Sequence, residues 1–239
     1  MNCEQELSEL FCEADRYREK YEANIPALIQ KARAETTYKK YSTGGKSLQR
    51  GYYCPALVKD KIVGNISRGR LTKKQPKAFD FQYYFDGSGV LRLSEDRTCT
   101  EVILHEGKRE VGLAIDPYSN FYRLALCDYE QDLLRQYMSF SVIADAFCEL
   151  YLEKYKYQDG FLTEAEVKNV HVLPKNGSYR DLVVANLKAA ALTQEEAAQI
   201  LVGDYYVGMD LTVYFKNDGK RLVSYTLKEL PTIRGRFFD

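Results

Sequence analysis

His105 and His171 are the only histidines in the 239-residue chain, so any metal centre or imidazole base would have to include one of them. They fall on different predicted strands, and neither has a second metal-type ligand at short spacing. His105 sits beside Glu106 at a hairpin tip, a solvent-exposed position. Six cysteines stand at 3, 12, 54, 99, 127 and 148 with no C-x-x-C among them. The chain is too long and too poor in cysteine for a disulfide scaffold, and the thiols read as reduced and mostly buried. Cys148 has no histidine at a spacing that supports a nucleophile pair, and no G-x-S-x-G is present. Glu149 and Glu153 share a face of one strand, with Glu164 and Glu166 on its partner. Facing carboxylates can do acid–base work, but on an open sheet face they more often serve solubility. No catalytic residue, cofactor or metal is expected from these patterns.

Two motifs come near a known chemistry. Tyr41-Ser42-Thr43-Gly44-Gly45-Lys46-Ser47 matches the end of a phosphate-binding loop. Position 40 should then be glycine and is Lys40, and the preceding Lys31–Lys40 reads as helix where that motif needs a strand. Residues 179–210 offer a helix-turn-helix reading, since Leu192–Leu201 looks like the first helix of such a repressor. The following Gly203-Asp204-Tyr205-Tyr206-Val207-Gly208-Met209-Asp210 is acidic, short and interrupted by glycine, a poor match to a recognition helix.

Charge is distributed more tellingly. Lys plus Arg and Asp plus Glu both number 34, so the formal charge is zero. Yet Lys31–Lys77 holds thirteen Lys or Arg against Glu35 and Asp60, a surplus of eleven, while residues 1–30 are acidic. Tyr38, Tyr41, Tyr52 and Tyr53 are interleaved with the basic run. Lys39, Lys40, Lys46, Arg50, Tyr52, Tyr53, Arg68, Arg70, Lys73 and Lys74 are therefore the candidate binding residues. A basic segment with aromatics can follow a phosphate backbone and stack bases, which makes nucleic acid one reading for segment 31–77. The other is that the run is a solvated face or lies against acidic parts of its own chain.

Hydrophobic residues form 45% and charged residues 28%, ordinary values that exclude fibrous and wholly disordered classes. No apolar run approaches the ~18 residues of a membrane helix, and Met1–Glu6 is acidic where a secretory signal would be basic. A cytoplasmic protein that does not enter membranes is expected.

The elements that must position these residues divide at about residue 76. Leu7, Leu10, Phe11, Ala14, Tyr17 and Tyr21 recur at helical spacing, and Pro26 breaks the pattern, which predicts helices over 4–23 and 26–40. Residues 1–76 are thus a helical, basic N-terminal region with an irregular stretch over 46–76. From Phe79 the period becomes two. Phe79–Phe85 turns at Asp86–Gly89 into Val90–Ser94, and similar pairs follow over 100–115, 120–140, 147–172 and 211–227. Residues 178–202 interrupt with a helix pair, 179–191 and 194–202, signalled by capping boxes at Ser178 and Thr193. The fold class is α+β: in residues 77–239 an antiparallel meander sheet of repeated hairpins, with the inserted helix pair and the N-terminal helices against it.

Three hairpins share one grammar: Tyr84-Phe85-Asp86-Gly87-Ser88-Gly89-Val90-Leu91, Tyr155-Lys156-Tyr157-Gln158-Asp159-Gly160-Phe161-Leu162, and Tyr214-Phe215-Lys216-Asn217-Asp218-Gly219-Lys220-Arg221-Leu222. It resembles YD-type β-repeats and the tyrosine-rich α+β immunity proteins of bacterial toxin systems. The resemblance implies a stoichiometric, non-enzymatic protein-binding module that neutralises a toxin, and it assigns no site residues. A protein partner is the first expectation, with abundant tyrosine as its physical support, and nucleic acid is the alternative.

Overall fold

A computed structural model describes residues 3–45, 49–59, 67–143, 146–174, 178–189, 192–217 and 222–229. The helices are α1 (Cys3–Tyr21), α2 (Ile25–Ala34), α3 (Ser178–Ala189) and α4 (Gln194–Ile200). The strands are β1 (Tyr38–Thr43), β2 (Arg70–Thr72), β3 (Phe81–Phe85), β4 (Leu91–Glu95), β5 (Thr100–Glu106), β6 (Arg109–Ile115) and β7 (Phe121–Glu130). They continue as β8 (Leu133–Ile143), β9 (Ala146–Gln158), β10 (Phe161–Val172), β11 (Leu201–Val202), β12 (Tyr205–Asn217) and β13 (Leu222–Glu229). The architecture is α+β, and its antiparallel strands follow one another as a meander of hairpins. The chain forms two compact units, residues 16–137 and residues 1–15 with 138–239.

In the unit of residues 16–137 the strand order is β2-β1-β3-β4-β5-β6-β7, so only β1 and β2 leave sequence order. One face carries Tyr84, Leu93, Val102, Leu113 and Leu124 in register, and α2 packs there against β4 and β5 through its buried Ile25, Ile29 and Ala32. The opposite face carries Tyr83, Ser94, Glu101, Ala114 and Arg123 in register, with Gly112 and Ala125 beside them. Gly112 leaves room for Arg50, which belongs to residues 49–59, a strap that buries Arg50, Gly51, Cys54, Ala56 and Val58. The Tyr83 hydroxyl fixes the strap, donating to Arg50 O at 3.0 Å and accepting from Tyr52 N at 2.9 Å.

In the other unit β9, β10 and β12 pair in long antiparallel ladders, and β12 also holds β11 and β13. The Phe11 ring of α1 stacks on Tyr205 at 5.4 Å and meets Phe140 edge-on at 5.6 Å. Helices α3 and α4 close over Leu173, Val183, Leu187 and Ile200. Thr193 caps α4 through a reciprocal pair with Glu196.

Several expectations from sequence change here. Residues 38–40 are strand and not the end of the second helix. β-branched Thr36 and Thr37 follow Glu35, where α2 stops, and Tyr38 then stacks on Phe85 at 4.9 Å across the ladder. The glycines at 44 and 45 thus follow a strand, contrary to the helix expected there. The Gly45 amide donates to Asp80 Oδ2 at 3.0 Å, while Lys46 and Ser47 lie outside the described residues. The chain after α4 enters β11 and then β12, so no recognition helix follows and the helix-turn-helix reading is overturned.

Candidate functional site

The basic run does not form one surface. Arg50 is 3% exposed, so it offers no charge to a ligand. Its guanidinium pairs with Glu101 at 2.8 Å and with Glu110, and Arg123 reaches the other oxygen of Glu101 at 3.1 Å. Burial alone would raise the Glu101 carboxyl, but Arg50 and Arg123 outweigh it and hold the group below the usual carboxylate range. Arg68 is likewise turned inward, donating to Cys54 O at 2.8 Å and Ala56 O at 2.6 Å. Lys46 lies outside the described residues.

What remains gathers along β1, on its side away from β3. Strand β2 pairs with only Tyr41, Ser42 and Thr43 of β1. Among the described residues, Tyr38, Lys39 and Lys40 have no strand on the side away from β3. A groove of about 450 Å³ lies there, lined by Tyr38, Lys39, Lys40, Tyr41, Lys73 and Gln75. Because β1 is extended, its two lysines turn to opposite faces. The Lys39 ammonium stands 4.4 Å over the Tyr84 ring, on the α2 face. The Lys40 ammonium stands 4.8 Å over Phe85 and donates to the Tyr53 hydroxyl at 3.1 Å, on the strap face. That hydrogen bond raises the Lys40 pKa, which keeps the ammonium charged. Lys73 and Lys74 are exposed just past β2, and Arg70 is exposed at its start. Among the described residues no carboxylate pairs with Lys39, Lys40, Lys73 or Lys74.

The tyrosines are less available than the cations. Tyr38 gives one ring face to Phe85, and Tyr53 packs edge-on against Tyr83 at 4.8 Å and Phe85 at 5.6 Å. Tyr52 is 38% exposed but has its ring against Tyr53. Gln75, which sequence reading did not single out, joins the groove because Tyr41 Oη lies 3.4 Å from its Oε1. The strand-like spacing Tyr38-Lys39-Lys40-Tyr41-Ser42-Thr43, with both faces occupied, was the signal for this edge.

The carboxylates weighed for acid–base work do not converge. Glu149 and Glu153 do share a face of β9. Glu153 is fully buried, however, and takes hydrogen bonds from Tyr151 at 2.6 Å and from Tyr155. Glu164 and Glu166 lie opposite Lys156 and Lys154, on the other face, and both reach Lys156 at 2.6 and 3.0 Å. His105 is exposed, as expected, whereas His171 is half-buried opposite Glu149 and stacked on Tyr206 at 5.9 Å. Burial lowers the His171 pKa. All six cysteines are free, with Cys54, Cys99 and Cys127 buried. Among the described residues no helix is long and apolar enough to cross a membrane.

A scan against protein-family models finds no match, and searches of curated proteins and of solved structures likewise find none.

Proposed function

We propose that this chain is a non-catalytic protein-binding module that receives an acidic region of another protein at the β1 edge. The observation that carries this reading is the half of β1 that no described strand covers, with Lys39, Lys40 and Lys73 lining its groove and no acidic residue among the described lining side chains. An open sheet edge is a template for another polypeptide, and unpaired lysines select for negative charge. A toxin, which the hairpin resemblance implies, would be one such partner. Nucleic acid through segment 31–77 is the weaker reading, because Arg50 and Arg68 face inward and the tyrosine rings already pack against neighbouring aromatic rings.

Fluorescence anisotropy tests this with two labelled probes, polyglutamate and a dT15 oligonucleotide, at low salt. The expected result is polyglutamate binding that drops at least tenfold in K39Q/K40Q/K73Q. Absence of polyglutamate binding by folded protein would overturn the reading. Tighter binding of dT15, with a steep fall as salt rises, would replace it with nucleic-acid binding.

A further inference from the structure

The geometry points to strand addition as the mode of capture, and to a partner segment with two consecutive acidic residues. This rests on the proposed protein-binding role of the β1 edge and specifies the ligand's chemistry. β2 occupies the outer side of β1 for three residue pairs, Tyr41↔Thr72, Ser42↔Leu71 and Thr43↔Arg70, and then leaves the sheet. After Thr72 the chain is turned aside, with Lys74 N donating to Thr72 Oγ1 at 3.2 Å and Thr72 Oγ1 to Lys74 O at 3.0 Å. The groove opens where β2 would otherwise have continued, alongside Tyr38, Lys39 and Lys40.

An extended segment entering there continues the line of β2 and meets backbone groups of β1 that point away from β3. Its side chains alternate between the two faces, as those of β1 do. Lys39 and Lys40 are adjacent in sequence but lie on opposite faces, so the residues directly across from them are also adjacent and also on opposite faces. Opposite charges at directly facing positions stabilise a strand pair. The complementary segment therefore carries Asp or Glu at two consecutive positions, one against each lysine. The next residue on the Lys40 face lies across from Tyr38, which is 38% exposed with its ring stacked on Phe85, and an apolar side chain suits it. Lys73 reaches the same groove from the end of β2 and adds positive charge beside the acidic pair.

The acetylated, amidated peptide Thr-Val-Asp-Glu-Val-Thr tests the mode by titration calorimetry and by amide hydrogen exchange on the full chain. It should bind, slow exchange within residues 38–40, and weaken at least tenfold when every second backbone amide is N-methylated. The isomer Thr-Asp-Val-Glu-Val-Thr, with its acids on one face, should bind at least fivefold more weakly. K39Q and K40Q should each weaken the parent peptide, and their folding is checked by circular dichroism. Equal binding of the N-methylated peptides, in both amide phases, would overturn strand addition while leaving the basic edge as an acidic-protein site. Equal binding of the isomer would overturn the consecutive-acid rule. No peptide binding, with dimerisation in sedimentation that K39Q/K40Q abolishes, would overturn the proposal in favour of a second copy of the chain.

Discussion

Arg50 shows how a residue selected for its charge can have a wholly internal role. It sits in left-handed backbone at φ 56, and its side chain crosses to Glu101 on β5 and Glu110 on β6. Gly112 makes this approach possible, because a Cβ there would overlap both Glu101 Oε1 and Arg50 Nη2. We expect Gly112→Ala to destabilise the protein by about 1–3 kcal/mol in urea denaturation, the range for forced overpacking. Arg50→Ala leaves Glu101 buried with half its compensation and should destabilise by about 3–5 kcal/mol. The pH dependence follows from the depressed pKa of Glu101. Its ionised form contributes stability above the ordinary unfolded value of 4.5, and that contribution is lost as pH falls through the lower folded value. Glu101→Gln should therefore be much less stable than the parent at pH 7, and the gap should narrow steadily below pH 4.5. A gap that stays constant to pH 3 would contradict this account.

At the scale of elements, alternating aromatics made most of the sheet legible. Phe81, Tyr83 and Phe85 form a buried cluster on one face of β3, and the turns at 107, 131–132 and 159–160 take positive φ as hairpins require. The first strands were hidden because Lys39 and Lys40 mimic an exposed helical end, and because β1 pairs with β3 across almost forty residues of intervening chain. β12 begins well before the expected start of its hairpin at 211, since residues 205–210 gain partners on β10 that only tertiary structure supplies. The buried Arg50 network was not legible at all. A glycine at 112 is ordinary in a strand until Arg50 and Glu101 are seen to close over it. The cap of α4 was readable, because Thr193 and Glu196 stand at the required spacing. Thr193→Ala removes a hydroxyl that accepts from Glu196 N at 3.2 Å and should destabilise this helix by about 1 kcal/mol. Hydrogen exchange should show faster exchange confined to residues 194–200 and their immediate neighbours.

For the whole molecule, zero net charge conceals an uneven allocation of partners. Lys20 pairs with Glu106, Arg33 with Glu95, Lys154 with Glu6, and Lys156 with Glu164 and Glu166. Lys39, Lys40, Lys73 and Lys74 have no such carboxylate among the described residues, so their field reaches solvent largely uncancelled. At ionic strengths near 0.1 M that field extends about 10 Å, which is enough to hold an anionic surface in contact with the β1 edge. The protein should therefore bind a heparin column at pH 7 and low salt even though its isoelectric point is 6.8. Two triple variants separate the patch from the total. K39Q/K40Q/K73Q and K20Q/K154Q/K156Q remove the same number of positive charges. The second set, however, takes lysines from existing ion pairs and leaves behind carboxylates that do not line the groove. If local concentration of charge governs recognition, the first variant elutes at clearly lower salt and the second elutes close to the parent. Equal shifts for the two would mean that net charge alone sets the affinity, and that the β1 edge has no special claim as the docking surface.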